Sequence, residues 1–228
     1  MAIIHVHGSG GAVRRAILAV AALSLAGCNT SVAQAPPIAA AAAQDAPGPL
    51  PVADPGEYAY STAVTGDIHD FDFLAGAWTL RNRRLKKRFV GSNDWDEFPA
   101  VDCAQLYLGA IVNVDEIQFP TRGWAGTTVR SFDLEKRQWS IWWISSRAGK
   151  LTPPVVGGFS GDRGVFYGED VDDGRPVKAR FLWIKQGPDH AHWEQAFSLD
   201  GKSWEVNWVN DLTRADPSQV CQGVSPRK

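Results

Sequence analysis

From Ala77 onward, segments of about 6 to 12 residues rich in β-branched and aromatic side chains alternate with short turn-forming runs, the pattern of antiparallel strands joined in series. No long helical period interrupts them. Strands are predicted over Ala77 to Val90, Asp94 to Tyr107, Ala110 to Phe119, Trp124 to Asp133, Gln138 to Ser145, Val155 to Ser160, Gly164 to Val171, Pro176 to Ile184, Ala191 to Leu199 and Lys202 to Thr213. They predict an all-β domain over residues 66–214, a single antiparallel meander closed into a roughly ten-stranded barrel.

Three hairpins indicate which faces turn inward. Through Leu134-Glu135-Lys136-Arg137, Phe132 pairs with Trp139, Arg130 with Ile141 and Thr128 with Trp143, so the rings collect on one face. With Asp200-Gly201 as a two-residue turn, Phe197 faces Trp204, Gln195 faces Val206 and Trp193 faces Trp208. Glu194 with Asn207 and His192 with Val209 then form the other, mostly polar side. With Gly91 to Asp94 as the first turn, Arg88 pairs with Glu97 and Phe89 with Asp96. The basic run Arg81 to Arg88 therefore reads as a charge-compensated hairpin at the barrel mouth rather than a polyanion site. Arg130, on an aromatic inner face, requires an anionic or carbonyl partner. It is either a structural ion pair, for instance with Asp115, or the anchor for a ligand carboxylate.

All ten Trp fall between residues 66 and 214, and so many large rings need a substantial interior or a lined cavity. Asn29 to Gly56 is built from Ala, Pro, Gln and Gly without apolar periodicity, so residues 28–65 are expected to form a disordered tether. Without residues 1–27 the chain keeps 21 basic and 25 acidic residues, a net charge of −4, which disfavours non-specific nucleic-acid binding.

Arg14-Arg15, the short apolar segment Ala16 to Ser24 and the ending Leu25-Ala26-Gly27-Cys28 resemble a bacterial lipoprotein signal peptide. The apolar run is well short of the roughly 20 residues that span a bilayer. The resemblance implies cleavage before Cys28 and lipid attachment there. Asn29, where Asp signals inner-membrane retention, implies an outer-membrane anchor facing the periplasm. Cys103 and Cys221 then remain, as a disulfide pinning the tail of residues 215–228 to the second strand or as two buried thiols.

His69-Asp70-Phe71-Asp72-Phe73-Leu74-Ala75-Gly76-Ala77-Trp78 resembles the entrance of calycin barrels, the lipocalin-like and fatty-acid-binding-like proteins. In lipocalins a Gly-x-Trp opens the first strand, and an Arg after the last strand packs over that Trp. Gly76-Ala77-Trp78 and Asp211-Leu212-Thr213-Arg214 occupy those places, which implies barrel closure by Trp78 and Arg214. With Arg83-Arg84-Leu85-Lys86, Asn113-Val114-Asp115-Glu116 and Trp193-Glu194-Gln195-Ala196-Phe197-Ser198, the stretch from Asp67 to Arg214 resembles an uncharacterised bacterial family of this group.

His190, His192 and Glu194 alternate on one strand face, near the spacing with which cupin-type barrels hold a metal, but the Glu is too close and a further His is lacking. An outward polar face is expected there, and no metal. No Gly-x-Ser-x-Gly elbow or phosphate-binding glycine loop occurs. Haem, held by nitrobindin-like relatives, requires an inward axial histidine, and His190 and His192 are the only strand histidines, so no cofactor is expected. Two functions follow. One is a binding barrel for a small apolar or aromatic ligand, neutral or acidic, among Trp139, Trp143, Trp193 and Trp208, with Arg130, Asn113, Asp115 or Gln195 orienting its polar end. The alternative is a cofactor-free isomerase, cyclase or lyase in which an inward Asp115 or Glu194 shuttles a proton, chemistry that the calycin resemblance permits.

Overall fold

Side chains that alternate strictly across a pleated strand can put one face inside and the other in water, so a single sheet can bury a core by curling onto itself. The computed structural model describes residues 59–223; the leader, Cys28 and the tether through residue 58 lie outside the described residues. Ten strands follow in order: β1 (Gly76–Leu85), β2 (Trp95–Tyr107), β3 (Val112–Phe119), β4 (Trp124–Asp133), β5 (Gln138–Ser145), β6 (Val155–Ser160), β7 (Arg163–Asp172), β8 (Arg175–Lys185), β9 (His190–Ser198) and β10 (Glu205–Ala215). Each pairs antiparallel with its neighbours, and β1 pairs with β10, closing the barrel as a meander.

One end is plugged. Ahead of β1 a single 3-10 turn, Asp72–Leu74, tucks Phe71 and Leu74 into the barrel, both without solvent exposure. Phe71 meets Trp139, Phe159 and Trp183 edge to face at ring distances of 5.0, 5.3 and 6.0 Å. Trp78 donates its indole N–H to Leu74 O at 2.8 Å. The Arg214 guanidinium lies 3.8 Å from the Trp78 ring centre and donates to the carbonyls of Ala75 and Phe73. A cation on an indole face contributes about 0.5–2 kcal/mol. The 3-10 turn, β1 and β10 are thereby fastened together at the closed end.

The β4–β5 register is the expected one, with Phe132 opposite Trp139, Arg130 opposite Ile141 and Thr128 opposite Trp143. The other two hairpins differ. β1 ends at Leu85, and Arg83 rather than Arg88 faces Glu97, with Arg84 facing Asp96. The residues after Leu85 form a loop instead of a strand, because Arg88 reaches across to pair with Asp172 and the Phe89 N–H donates to Glu205 Oε2 at 2.6 Å. Beyond Ser198, the Asp200 carboxylate accepts from the N–H groups of Lys202 and Ser203 at 2.8 and 2.7 Å, so the loop opens past two residues. Phe197 consequently faces Glu205, and a bulge between Val206 and Trp208 puts Trp208 opposite Gln195 and Asn210 opposite Trp193. Trp204, expected inside, packs against Tyr167 on the outer wall.

Residues 59–65, expected as the end of the tether, run along the barrel, where Gln138 donates to the carbonyls of Thr62 and Val64 at 2.7 and 2.8 Å. Past β10, α1 (Pro217–Val220) is capped by Asp216, and the next residue, Cys221, is disulfide-bonded to Cys103 on β2.

Candidate ligand cavity

Above the plug the interior is not filled. A cavity of about 100 Å³ remains, and it opens toward the end formed by the β5–β6 loop and the far end of β7. An enclosed apolar cavity of roughly 150 Å³ holds benzene, so this smaller but open hollow is on the scale of one ring at most or a slim chain. Trp143, Trp183, Trp193, Trp208, Phe119 and Phe181 supply the walls. Trp143 lies across Gly126 on β4, where any added Cβ would collide with its ring. The Trp208 N–H is spent on Asn82 Oδ1 at 3.0 Å, which fixes that indole.

The polar part comes from three adjacent strands. Asp102 on β2 stands opposite Ile117, Asp115 on β3 opposite Thr128, and Arg130 on β4 opposite Asn113, a diagonal row on the inner face. Arg130 Nη1 lies 2.6 Å from Asp115 Oδ2 and donates to Asn113 Oδ1 at 2.6 Å. Its carbon centre sits 5.1 Å from the Phe71 ring and 5.6 Å from Trp183, which anchors it on the plug. Asp115 also accepts from the Thr128 N–H at 3.0 Å. Asp102 is supported by the Cys103 backbone N–H alone. Burial, and then the charge of Asp115, hold its carboxyl well above the usual range, and Arg130 offsets only part of this. Its Oδ1 is buried without a hydrogen-bond partner, as is Asn210 Oδ1 on β10.

Of the residues expected at a binding site, Arg130, Asp115, Gln195, Trp143, Trp193 and Trp208 line the cavity. Asn113 has no exposure and stands behind Arg130 as its hydrogen-bond acceptor. Trp139 belongs to the plug, donating to Asp67 O at 2.8 Å, because its position on β5 is below the cavity floor. Arg130 stands in an ion pair, its Nη1 shared by Asp115 and Asn113, while its Nε has no hydrogen-bond partner. Asp102 and Asn210 were not anticipated. The shifted β1–β2 register hid Asp102, and the available signal for Asn210 was its parity with Trp208 on β10.

Glu194 is not inward. Trp193 and Gln195 line the cavity, so His192 and Glu194 between them face the outer wall. That face is nonetheless buried at His192, whose Nδ1 lies 2.7 Å from Asp211 and Nε2 3.0 Å from Glu194. Arg180 stands 3.9 Å from Glu194. Burial opposes the imidazolium charge, but hydrogen bonds to Asp211 and Glu194 push His192 up to about 9. Both ring nitrogens are thus engaged by carboxylates. The basic run at the mouth is compensated as expected, though by other partners: Arg81 with Glu97, Lys86 with Asp94 and Arg88 with Asp172. Compared with known proteins, the chain matches no family model and no curated sequence.

Proposed function

We propose that this barrel, of calycin-like type, binds a small apolar or aromatic molecule in the cavity above its plug. The supporting observation is an aromatic hollow at the open end with a few fixed polar groups, Asp102, Asp115, Arg130 and Asn210, at its side and base. In this reading a lipid on Cys28 holds the barrel at the periplasmic face of the outer membrane. Titration of the intrinsic tryptophan fluorescence with single-ring compounds, paired with native mass spectrometry, tests the binding. Saturable quenching that is lost when Gly126→Val displaces Trp143 is expected, and unchanged emission at millimolar ligand overturns it. Palmitate labelling abolished by Cys28→Ala is the expected result for the anchor.

A second reading, proton-shuttling catalysis as a cofactor-free isomerase, cyclase or lyase, draws on one observation. Burial pushes Asp102 toward its neutral acid form while neighbouring Asp115 stands in an ion pair with Arg130, and two adjacent carboxyl groups in unlike environments are what acid–base chemistry requires. Such a pair should exchange deuterium from D2O into a bound enolisable ketone, and Asp115→Asn should stop it. Exchange no faster than in buffer removes this reading.

A further inference from the structure

The ionisable groups facing the cavity are unequal in sign. Asp102 enters from β2, Asp115 from β3 and Asp170 from β7, against one cation, Arg130 from β4. Arg130 is already matched by Asp115. Asp170 accepts from the Val171 N–H at 2.7 Å, and neither it nor Asp102 has an ion-pair partner among the described residues. Across β1, on β10, Asn210, 9% exposed, presents a second acceptor oxygen without a donor. The rings between them turn faces whose quadrupoles attract positive charge. Arg84 from β1 lies over Trp208 at 4.7 Å, so the positive end of a guest belongs at Asp102 rather than at that ring.

Taking the cavity to be a small-molecule site, we infer that it selects a small organic ammonium, a primary amine carrying about one aromatic ring, whose charged end is received by Asp102. The unpaired buried atoms of the lining include two donors, Trp183 Nε1 and Arg130 Nε, as well as Asp102 Oδ1 and Asn210 Oδ1, so the preference for a cation rests on the excess of carboxyls, and a charge-assisted hydrogen bond is the strong way to fill Asp102 Oδ1. A carboxylate guest would meet Asp115 and Asp170, and the one cation of the lining, Arg130, already has Asp115 on its Nη1. An ammonium, once seated, makes the ionised form of Asp102 the favourable one. Binding therefore loosens the hold of Asp102 on a proton and favours its release to the buffer, with Asp115, Asp170 and Arg130 as the other charged groups lining the cavity.

Isothermal titration of the full-length protein with benzylamine, benzyl alcohol and benzoate, in phosphate and in Tris at pH 7, separates the outcomes. Benzylamine is expected to bind at least about tenfold more tightly than benzyl alcohol, with benzoate weakest. Its heat should differ between the two buffers by the released proton. Asp102→Asn, isosteric with the neutral acid already present, should erase both the amine preference and the buffer difference while keeping the alcohol. Asp170→Asn, at the mouth, should weaken the amine by a smaller factor and serves if the first variant folds poorly. Benzoate binding as tightly as benzylamine, or an amine preference untouched by either variant, overturns the charge selection and leaves the cavity reading standing. Binding of none of the three overturns the cavity reading itself, and this inference with it.

Discussion

The barrel wall carries two ionisable clusters, one on each face, and they reach neutrality in opposite ways. Inside, the row Asp102, Asp115 and Arg130 has one cation for two carboxyls, and burial beside Asp115 pushes Asp102 toward its neutral form. Outside, Asp211, Glu194, His192 and Arg180 have two carboxyls, and the balance is made by His192 taking a proton up. The difference is solvent reach. Asp211 is one-third exposed and Glu194 nearly one-fifth, so their charges persist and draw a proton onto the histidine. Asp102 is 4% exposed with one oxygen unpaired, so the Arg130 charge and the Cys103 N–H do not make up for its burial. A residue that sheds charge to be buried is free to regain it when a guest arrives, whereas one that gains charge to be buried is structural.

The inner cluster is broken most severely at Arg130. Arg130→Met leaves Asp115 as a lone buried charge and should cost about 3–5 kcal/mol in urea unfolding. Arg130→Met with Asp115→Leu should recover most of that loss, because the pair's worth lies largely in not leaving either charge alone. A double variant as unstable as the single one would refute the ion-pair explanation.

The outer cluster is broken by pH. His192 stands at about 9 against an ordinary 6.5, so its stabilisation is complete below about pH 6.5 and disappears as pH rises through about 9. The upper bound is ~3 kcal/mol, counted once with the lowered Asp211, its partner in the same interaction. Wild type should exceed His192→Gln by most of that amount at pH 6 and by little at pH 10. A gap that is equal at the two pH values would place the histidine's role in packing instead.

How much of this was legible follows from register. Asp133 takes the N–H groups of Glu135 and Lys136, so the β4–β5 turn is closed by adjacent residues and the inward row through Arg130 can be read from spacing. In the β1–β2 hairpin the turn is set by distant partners, Asp172 for Arg88 and Glu205 for Phe89, which no local rule contains. Moving the partner of Glu97 from Arg88 to Arg83 is a shift by an odd number, and an odd shift exchanges faces. Asp102, which would otherwise face outward opposite Arg83, lands opposite Trp78 and enters the cavity. At β9–β10 the bulge restores the parity lost in the loop, so Trp193 and Trp208 remain inside although their partners move. The aromatic walls were therefore legible and the buried acid was not.

Asp102 sharpens the comparison in the stabilising direction. Its folded form holds a proton that the unfolded chain gives up above the usual carboxylate range, so its contribution turns unfavourable as pH rises past that range. Asp102→Asn removes the penalty and should raise Tm at pH 7, on the order of 2–4 °C for each kcal/mol recovered, with no gain at pH 3. An equal rise at both pH values would mean that the amide had found a new hydrogen bond and that proton linkage was not the cause.

The smallest expected effect isolates burial itself. Arg81 Nη2 lies 2.7 Å from Glu97 on the outer wall, nearly the 2.6 Å separation of Arg130 and Asp115 inside, but its two side chains are 61% and 49% exposed against 4% and 5%. Water and counter-ions screen such a pair, and each long side chain loses rotamer freedom in holding it. Arg81→Ala should therefore change stability by less than about 0.5 kcal/mol, and the change should shrink further in 1 M salt, while the loss from Arg130→Met persists. If the two pairs responded alike to salt, the face of the wall would not be what separates them, and the contrast between the inner and outer clusters would have to rest on packing alone.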